Sequence, residues 1–229
     1  MSGKLRLVCA TRESAEGFHT NTGLGRSLKF LNAPFIELLL YERNTMGLPA
    51  LYNRAIRESR SNPAVLVFLH DDLHFVDWFW PLHLMDALRS FEVVGVAGNR
   101  RRVPYQPSWL FLDTNGTQDE SQNLSGAVAH GKSFPPDIVK VFGPPRMEVK
   151  LLDGLFLAAQ SETLLSNDLW FDERFDFDFY DLDFCRSAEA KQLRIGTGTI
   201  SLIHESHGPT LYTPRWRDAY AKYLEKWGC

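Results

Sequence analysis

Two adjacent carboxylates close an apolar run: Ala64-Val65-Leu66-Val67-Phe68-Leu69 leads through His70 into Asp71-Asp72. A run this short and apolar predicts a strand buried on both faces, as in a parallel sheet. In open α/β sheets, ligands gather beyond the carboxyl ends of the strands. Two acids held there repel each other. A divalent cation relieves that repulsion and can also hold a phosphate-bearing ligand. The plainer alternative is that Asp71 and Asp72 start a loop and cap the next helix. A second group, His204-Glu205-Ser206-His207-Gly208, follows the apolar stretch Thr199 to Ile203. Two histidines and a carboxylate at a strand end can ligate a metal. The His-x-x-His spacing is common by chance, and it gains weight from the separate Asp71-Asp72 pair.

A third group is acidic and aromatic. Asp168, Asp172, Glu173, Asp176, Asp178, Asp181 and Asp183 are interleaved with Trp170, Phe171, Phe175, Phe177, Phe179, Tyr180 and Phe184, with Arg174 the one base among them. A half-buried carboxylate has a raised pKa and is a better base. Phe175-Asp176-Phe177-Asp178-Phe179 alternates, which predicts a strand with Phe inward and makes Asp176 and Asp178 structural. Asp181 and Asp183 lie past that alternation, at a predicted helix start. There a carboxylate is also favoured by the helix dipole.

The elements that must position these groups follow from periodicity. Strands are predicted over 5–10, 34–41, 64–69 and 92–97. Helices lie between them, one with Leu48, Leu51, Tyr52, Ala55 and Ile56 on a single face and one over 78–91. Gly23 and Gly25 are not followed by Gly-Lys-Ser/Thr, so they read as a turn before a short helix, not a phosphate loop. Alternating strand and helix implies parallel strands with right-handed crossovers. Residues 99 to 148 read as a long irregular segment with a hairpin at Asn115-Gly116, of the kind that is functional or a lid. Arg100, Arg101 and Arg102 within it, near Trp109, read as a solvated turn, with diphosphate or acceptor contacts the alternative. A strand over 155–159, a helix over 180–193 and a strand over 199–203 follow. Thr213 then caps a C-terminal helix with Pro214 at its first position.

Composition narrows the class. The chain has 229 residues, of which 44% are hydrophobic and 13% aromatic, enough to fill a core. A net charge of -3 implies no general affinity for nucleic-acid polymers or membranes. Cys9, Cys185 and Cys229 lie far apart and suggest a reducing compartment. No apolar run approaches the ~20 residues of a membrane span. The expectation is a soluble cytoplasmic protein. It would form a single domain over 1–229, with a nucleotide-binding half (1–98), an irregular insertion (99–148) and an acceptor or catalytic half (149–229).

The ordered set of segments resembles the GT-A class of nucleotide-sugar glycosyltransferases, and within it the family-2-like group that includes the streptomycin-biosynthesis F-type domain. The segments are Gly47 to Ile56, Phe68 to Asp72, Leu152 to Ala158, Phe171-Asp172-Glu173, Phe179 to Cys185, and His204 to Gly208. The resemblance implies an α/β GT-A (Rossmann-like) fold with a mixed, mostly parallel sheet flanked by helices. It implies a UDP-sugar donor, an unidentified acceptor hydroxyl, and Mn²⁺ or Mg²⁺ as cofactor. His70-Asp71-Asp72 stands where the class carries an Asp-x-Asp-type motif. Asp72 is then the direct metal ligand, joined by His204 and, second, His207. Asp71 faces the ribose or the metal's water shell. Thr11, Glu42, Asn44, Asn53, Asp153 and Gly154 complete the donor contacts, with Glu42 where the uracil ring is read. Asp181 matches the general base of inverting members, with Tyr180 where Glu is frequent.

Three other functions compete. A nucleotidyltransferase shares the general fold, but Cys9-Ala10-Thr11-Arg12-Glu13 lacks the glycines such enzymes carry after the first strand. The others are a non-catalytic UDP/Mn-binding module, kept open by His70 and Tyr180, and a hydrolase of the sugar nucleotide.

Overall fold

The computed structural model describes residues 4–31, 33–206 and 212–228. The chain runs β1 (Leu5–Ala10), α1 (Ala15–Asn21), α2 (Gly23–Leu28), β2 (Ile36–Tyr41), α3 (Leu48–Glu58), β3 (Val65–Leu69), β4 (Leu73–Phe75) and α4 (Trp80–Ala87). It continues through β5 (Val93–Gly95), β6 (Ala97–Asn99), a 3₁₀ turn at Ser121–Asn123, β7 (Leu124–His130) and β8 (Ile138–Gly143). Then come β9 (Glu148–Val149), β10 (Leu151–Leu152), β11 (Phe156–Gln160), α5 (Ser161–Ser166), α6 (Tyr180–Ala190), β12 (Ile195–Thr197), β13 (Leu202–His204) and α7 (Pro214–Trp227).

These strands form two sheets. The seven-stranded sheet has the order β2-β1-β3-β11-β5-β12-β9. Strands β1, β2, β3, β5 and β12 run in one direction, and β11 and β9 run against it. This is the mixed, mostly parallel α/β sheet that the family resemblance implied, and the alternation of the first hundred residues accounts for its parallel strands β1, β2, β3 and β5. β3 lies inside it with every residue buried, which is why its sequence is a continuous apolar run. The smaller sheet has the order β10-β6-β7-β13-β4, with β8 also on β7.

The register decides which ends meet. Cys9 pairs with Leu40 and with Leu69, so the carboxyl ends of β2, β1 and β3 stand in a row. Phe156 of the reversed β11 pairs with Leu69, which brings the residues before it, Asp153 and Gly154, to that same edge. In the smaller sheet His204 pairs with Leu73, so the end of β13 lies beside the residues joining β3 to β4.

Helix formation follows the periodicity. Leu48, Leu51, Tyr52, Ala55 and Ile56 are all buried, with Pro49 in the first turn of α3. Tyr52 packs on Phe68 and Phe171, and Phe171 stacks on Phe184 at 4.1 Å, so α3, β3 and α6 share one aromatic core. Residues 15 to 28 form two short helices joined at Thr22, whose hydroxyl accepts from Gly25 N–H. A Cβ on Gly25 would lie 1.9 Å from the Phe18 carbonyl oxygen. The glycine therefore serves close helix–helix approach.

Four expectations need correction. Residues 99–148 are not irregular throughout: β7 and β8 form an antiparallel hairpin across most of their length. The turn at Asn115-Gly116 is present, closed by a single bridge between Phe111 and Gln118. The strand expected over 92–97 is divided at Val96, with β5 in the large sheet and β6 in the small one. Residues 175–179 are not a strand. They form a bent segment with Phe175 and Phe179 buried and Phe177 exposed, and Phe179 at φ 68° turns the chain into α6. The last strand begins at Leu202 and includes His204.

Asp183 is fully buried and receives hydrogen bonds from Lys226 Nζ and Trp227 Nε1, both at 2.7 Å, tying the C-terminal helix to α6. Lys226 also bonds Asp172 at 2.8 Å. Asp183→Ala removes both of these hydrogen bonds from a fully buried place while Lys226 keeps Asp172, and is expected to cost about 1–3 kcal/mol in a denaturant melt; Asp218→Ala, in an exposed i,i+4 pair with Lys222, is expected to leave the melt essentially unchanged. Among the described residues, no helix is long and apolar enough to cross a membrane.

Candidate active site

The candidate site lies at the carboxyl edge of β3. Past Leu69 the chain turns through His70, Asp71 and Asp72 into β4, which moves it from one sheet to the other. The turn at Asp71-Asp72 gives the two side chains different neighbours. Asp71 goes toward β1, where the Thr11 hydroxyl donates to its Oδ2 at 2.6 Å. His70 and Asp72 share the other side with His204. Ligand atoms of these three lie within 4.8 Å of one another. His204 Nε2 stands 3.2 Å from Asp72 Oδ2, while Asp72 Oδ1 is buried with no hydrogen-bond partner. A carboxylate with one unpartnered buried oxygen, grouped with two imidazoles, is a donor set that fits a divalent cation of the Mn²⁺ or Zn²⁺ type.

The two adjacent acids are driven apart electrostatically. Burial raises Asp71, with the charge of Asp72 adding to it and the Thr11 hydrogen bond opposing. Burial raises Asp72 as well, but the hydrogen bond from His204 and the charges of His204 and His70 outweigh it and lower it overall. His70 is lowered, chiefly by burial, against the nearby carboxylates. Burial lowers His204 too, but its hydrogen bond and charge interaction with Asp72 win and raise it.

A second carboxylate pair lies beside this group. Asp181, in the first turn of α6, accepts Gly154 N–H on Oδ2 at 3.0 Å and Leu182 N–H on Oδ1 at 2.9 Å. Its pKa is raised to about 7, first by burial and then by the charge of Asp153, with those backbone bonds pulling the other way. A carboxylate poised near neutrality suits proton transfer. Asp153 accepts Leu155 N–H at 3.1 Å, which bends the 153–155 loop over the β3 edge. Gly154 allows the contact: a Cβ there would lie 2.5 Å from the Tyr180 hydroxyl and 2.9 Å from Asp181 Cβ. Tyr180 is held between His70 and the Gly154 carbonyl and cannot give way. Gly154→Ala is therefore expected to cost about 1–3 kcal/mol in a thermal melt, as overpacking does.

The expected residues thus separate into groups. Thr11 meets Asp71, Asp72 meets His204, and Asp153 and Gly154 meet Asp181. Glu42 stands exposed past β2, its carboxylate accepting Ala15 N–H at 2.6 Å. Asn44 folds its amide back on Met46, with both bonds at 2.8 Å. Asn53 is elsewhere. Its amide donates to the Phe171 carbonyl and Glu173 and accepts from Phe171 N–H, so it fastens α3 to residues 171–173 and has no N–H left for a nucleotide. Glu205 turns away from Asp72 into a pair with His74, at 2.7 Å, and Arg26. His207 lies outside the described residues. His70, which the sequence reading did not place among the candidate ligands, joins Asp72 and His204 in this cluster; the turn at 71–72 and the pairing of β13 with β4 bring the three together, and neither is legible in local sequence.

The family model described as "Glycosyltransferase like family" matches residues 39–217. No curated protein matches the sequence. Among solved structures, GalNAc-T7 with UDP, GalNAc and Mn²⁺ aligns with a TM-score of 0.57 at 10% identity, over 98% of this chain and 48% of that one. S. aureus TarS 1-349 in complex with UDP-GlcNAc aligns with a TM-score of 0.51 at 14% identity, over 92% and 62%. S. aureus TarS aligns at 0.50 and 13%, over 89% and 37%. The chain spans between about a third and just under two thirds of the length of these proteins, and the likeness is one of fold.

Proposed function

The chain belongs to the glycosyltransferase-like family, and from that premise we propose that it transfers a sugar from a UDP-sugar donor to an acceptor hydroxyl, with inversion, at a divalent-metal site. The observation that carries this reading is the cluster of His70, Asp72 and His204 around the unpartnered Asp72 Oδ1, next to the Asp153–Asp181 pair. The ligands printed for the similar folds, UDP-GlcNAc with TarS and UDP with Mn²⁺ for GalNAc-T7, favour the same donor class. The narrower kinship with streptomycin-biosynthesis F-type domains rests on the ordered motifs and belongs to the same proposal.

His70, Asp72 and His204 would hold the cation, Mn²⁺ before Mg²⁺ because two imidazoles join one carboxylate. Bound there, it would stabilise the charge gathering on the departing diphosphate. Thr11 and Asp71 meet the ribose side, Glu42 the base, and the 153–154 loop the sugar. Asp181 takes the proton from the acceptor hydroxyl as that oxygen attacks the anomeric carbon, and its two backbone N–H bonds hold the carboxylate in place. His207 is a candidate fourth ligand. Cys9 and Cys185 are buried and unpaired, which supports a cytoplasmic setting.

Calorimetry with UDP, GDP and ADP, each with MnCl₂ or EDTA, tests this directly. UDP is expected to bind most tightly, and more tightly with Mn²⁺. Equal affinity with EDTA would overturn the metal site, and equal affinity for GDP would overturn the role of Glu42. A screen of UDP-sugars for acceptor-dependent UDP release then separates a transferase from a binding module, which releases none, and from a hydrolase, which needs no acceptor.

A further inference from the structure

Tyr180 reaches the site from α6 and is buried to 2% exposure. Its hydroxyl is 2.7 Å from the Gly154 carbonyl oxygen and 2.9 Å from His70 Nε2. A carbonyl oxygen only accepts, so the single hydroxyl proton must point to Gly154. What the hydroxyl presents to His70 is then a lone pair. The short contact with Nε2 is attractive only if Nε2 carries a proton and donates it. A neutral imidazole with a proton on Nε2 has its one lone pair on Nδ1. Nδ1 makes no hydrogen bond among the described residues. The Phe177 ring stacks on His70 with centroids 5.4 Å apart and restrains the ring plane.

We propose that Tyr180 is a positioning residue: it fixes His70 as the Nε2–H tautomer and so leaves Nδ1 as the atom His70 offers to a divalent cation. The second half of this statement rests on the donor-site reading above; the first does not. Partners of this kind commonly orient a metal-binding histidine, and their loss costs 10–100-fold in metal affinity. The same hydroxyl grips the Gly154 carbonyl, so the loop carrying Asp153 and the histidine ligand are set by one group.

Long-range ¹H–¹⁵N spectra of the metal-free full chain read the tautomer directly. Wild type is expected to show His70 protonated on Nε2 and bare on Nδ1. In Tyr180→Phe that preference should weaken to a mixture, and Mn²⁺ affinity by calorimetry should fall by about 10–100-fold. A wild-type His70 protonated on Nδ1 overturns the proposal, even if the variant does not fold. So does a folded Tyr180→Phe with unchanged tautomer and unchanged Mn²⁺ affinity. Wild type with the Nε2–H tautomer but no Mn²⁺ binding overturns the role toward the cation through failure of the donor-site reading, leaving the Tyr180–His70 bond itself as found.

Discussion

Asp181→Asn is expected to lower turnover by about two to four orders of magnitude, the usual contribution of a positioned general base, while UDP and Mn²⁺ bind nearly as in wild type. The substitution keeps size and removes basicity. Asp181 accepts Gly154 N–H and Leu182 N–H, and the amide can keep one of these bonds; losing the other costs about 1 kcal/mol of stability. Donor affinity should survive, because the proposed function puts Asp181 on the acceptor side. The pH profile gives an independent reading. The base acts when deprotonated, and its pKa is raised to about 7 by burial and by Asp153. Turnover should therefore climb as pH rises through about 7, and that limb should vanish in the variant. Linkage has the opposite sign. A carboxyl that holds its proton more tightly in the folded state favours folding at low pH. Its contribution is lost as pH rises from the ordinary carboxylate range toward about 7. A variant with near-normal turnover on a genuine acceptor would defeat the assignment. Loss of UDP binding would also defeat it, by putting Asp181 on the donor side.

Asp72→Ala is the second large expected effect. It removes the carboxylate nearest His204 and the one with an unpartnered buried oxygen. UDP affinity in Mn²⁺ should drop to the value measured in EDTA, so that metal no longer matters. Asp72→Asn, which keeps shape but not charge, should lie between. Asp176→Ala is the control: its side chain is exposed, and its backbone carbonyl, which the substitution keeps, accepts Leu48 N–H at 2.8 Å. Retained metal dependence in Asp72→Ala would move the cation away from this edge.

Some of this architecture was legible from local sequence. The β3 run is apolar throughout because both its faces are covered, and the α3 stripe is apolar at helical spacing because one face is. Such periodicities are one-dimensional records of burial. Asp71-Asp72 at a strand end, and Asp181 at a helix start, were visible for the same reason: each is fixed by position along a single element. The alternation at Phe175 to Phe179 misled because its residues have no partner strand. Their phenyl rings pack by tertiary contact, Phe179 against Trp216 and Tyr223 of α7, not by sheet pairing. Asn53 looked like part of a motif, but its hydrogen bonds run to residues 171–173, more than a hundred positions away.

What only the tertiary structure decided is which residues meet. His70 and Asp72 reach His204 because the chain changes sheets between β3 and β4, and β13 pairs with β4 in a register that puts His204 opposite Leu73. Strand pairing depends on hydrogen bonds between segments remote in sequence, and periodicity along one strand does not say which other strand will supply them. The same holds for Asp181, whose raised pKa comes from burial and from Asp153 across the Gly154 loop. The sequence by itself determined the residue types able to bind a metal or carry a proton, and the elements whose ends bear them. Their assembly at one edge came from long-range pairing and packing, because distance and dielectric exist only in the folded chain.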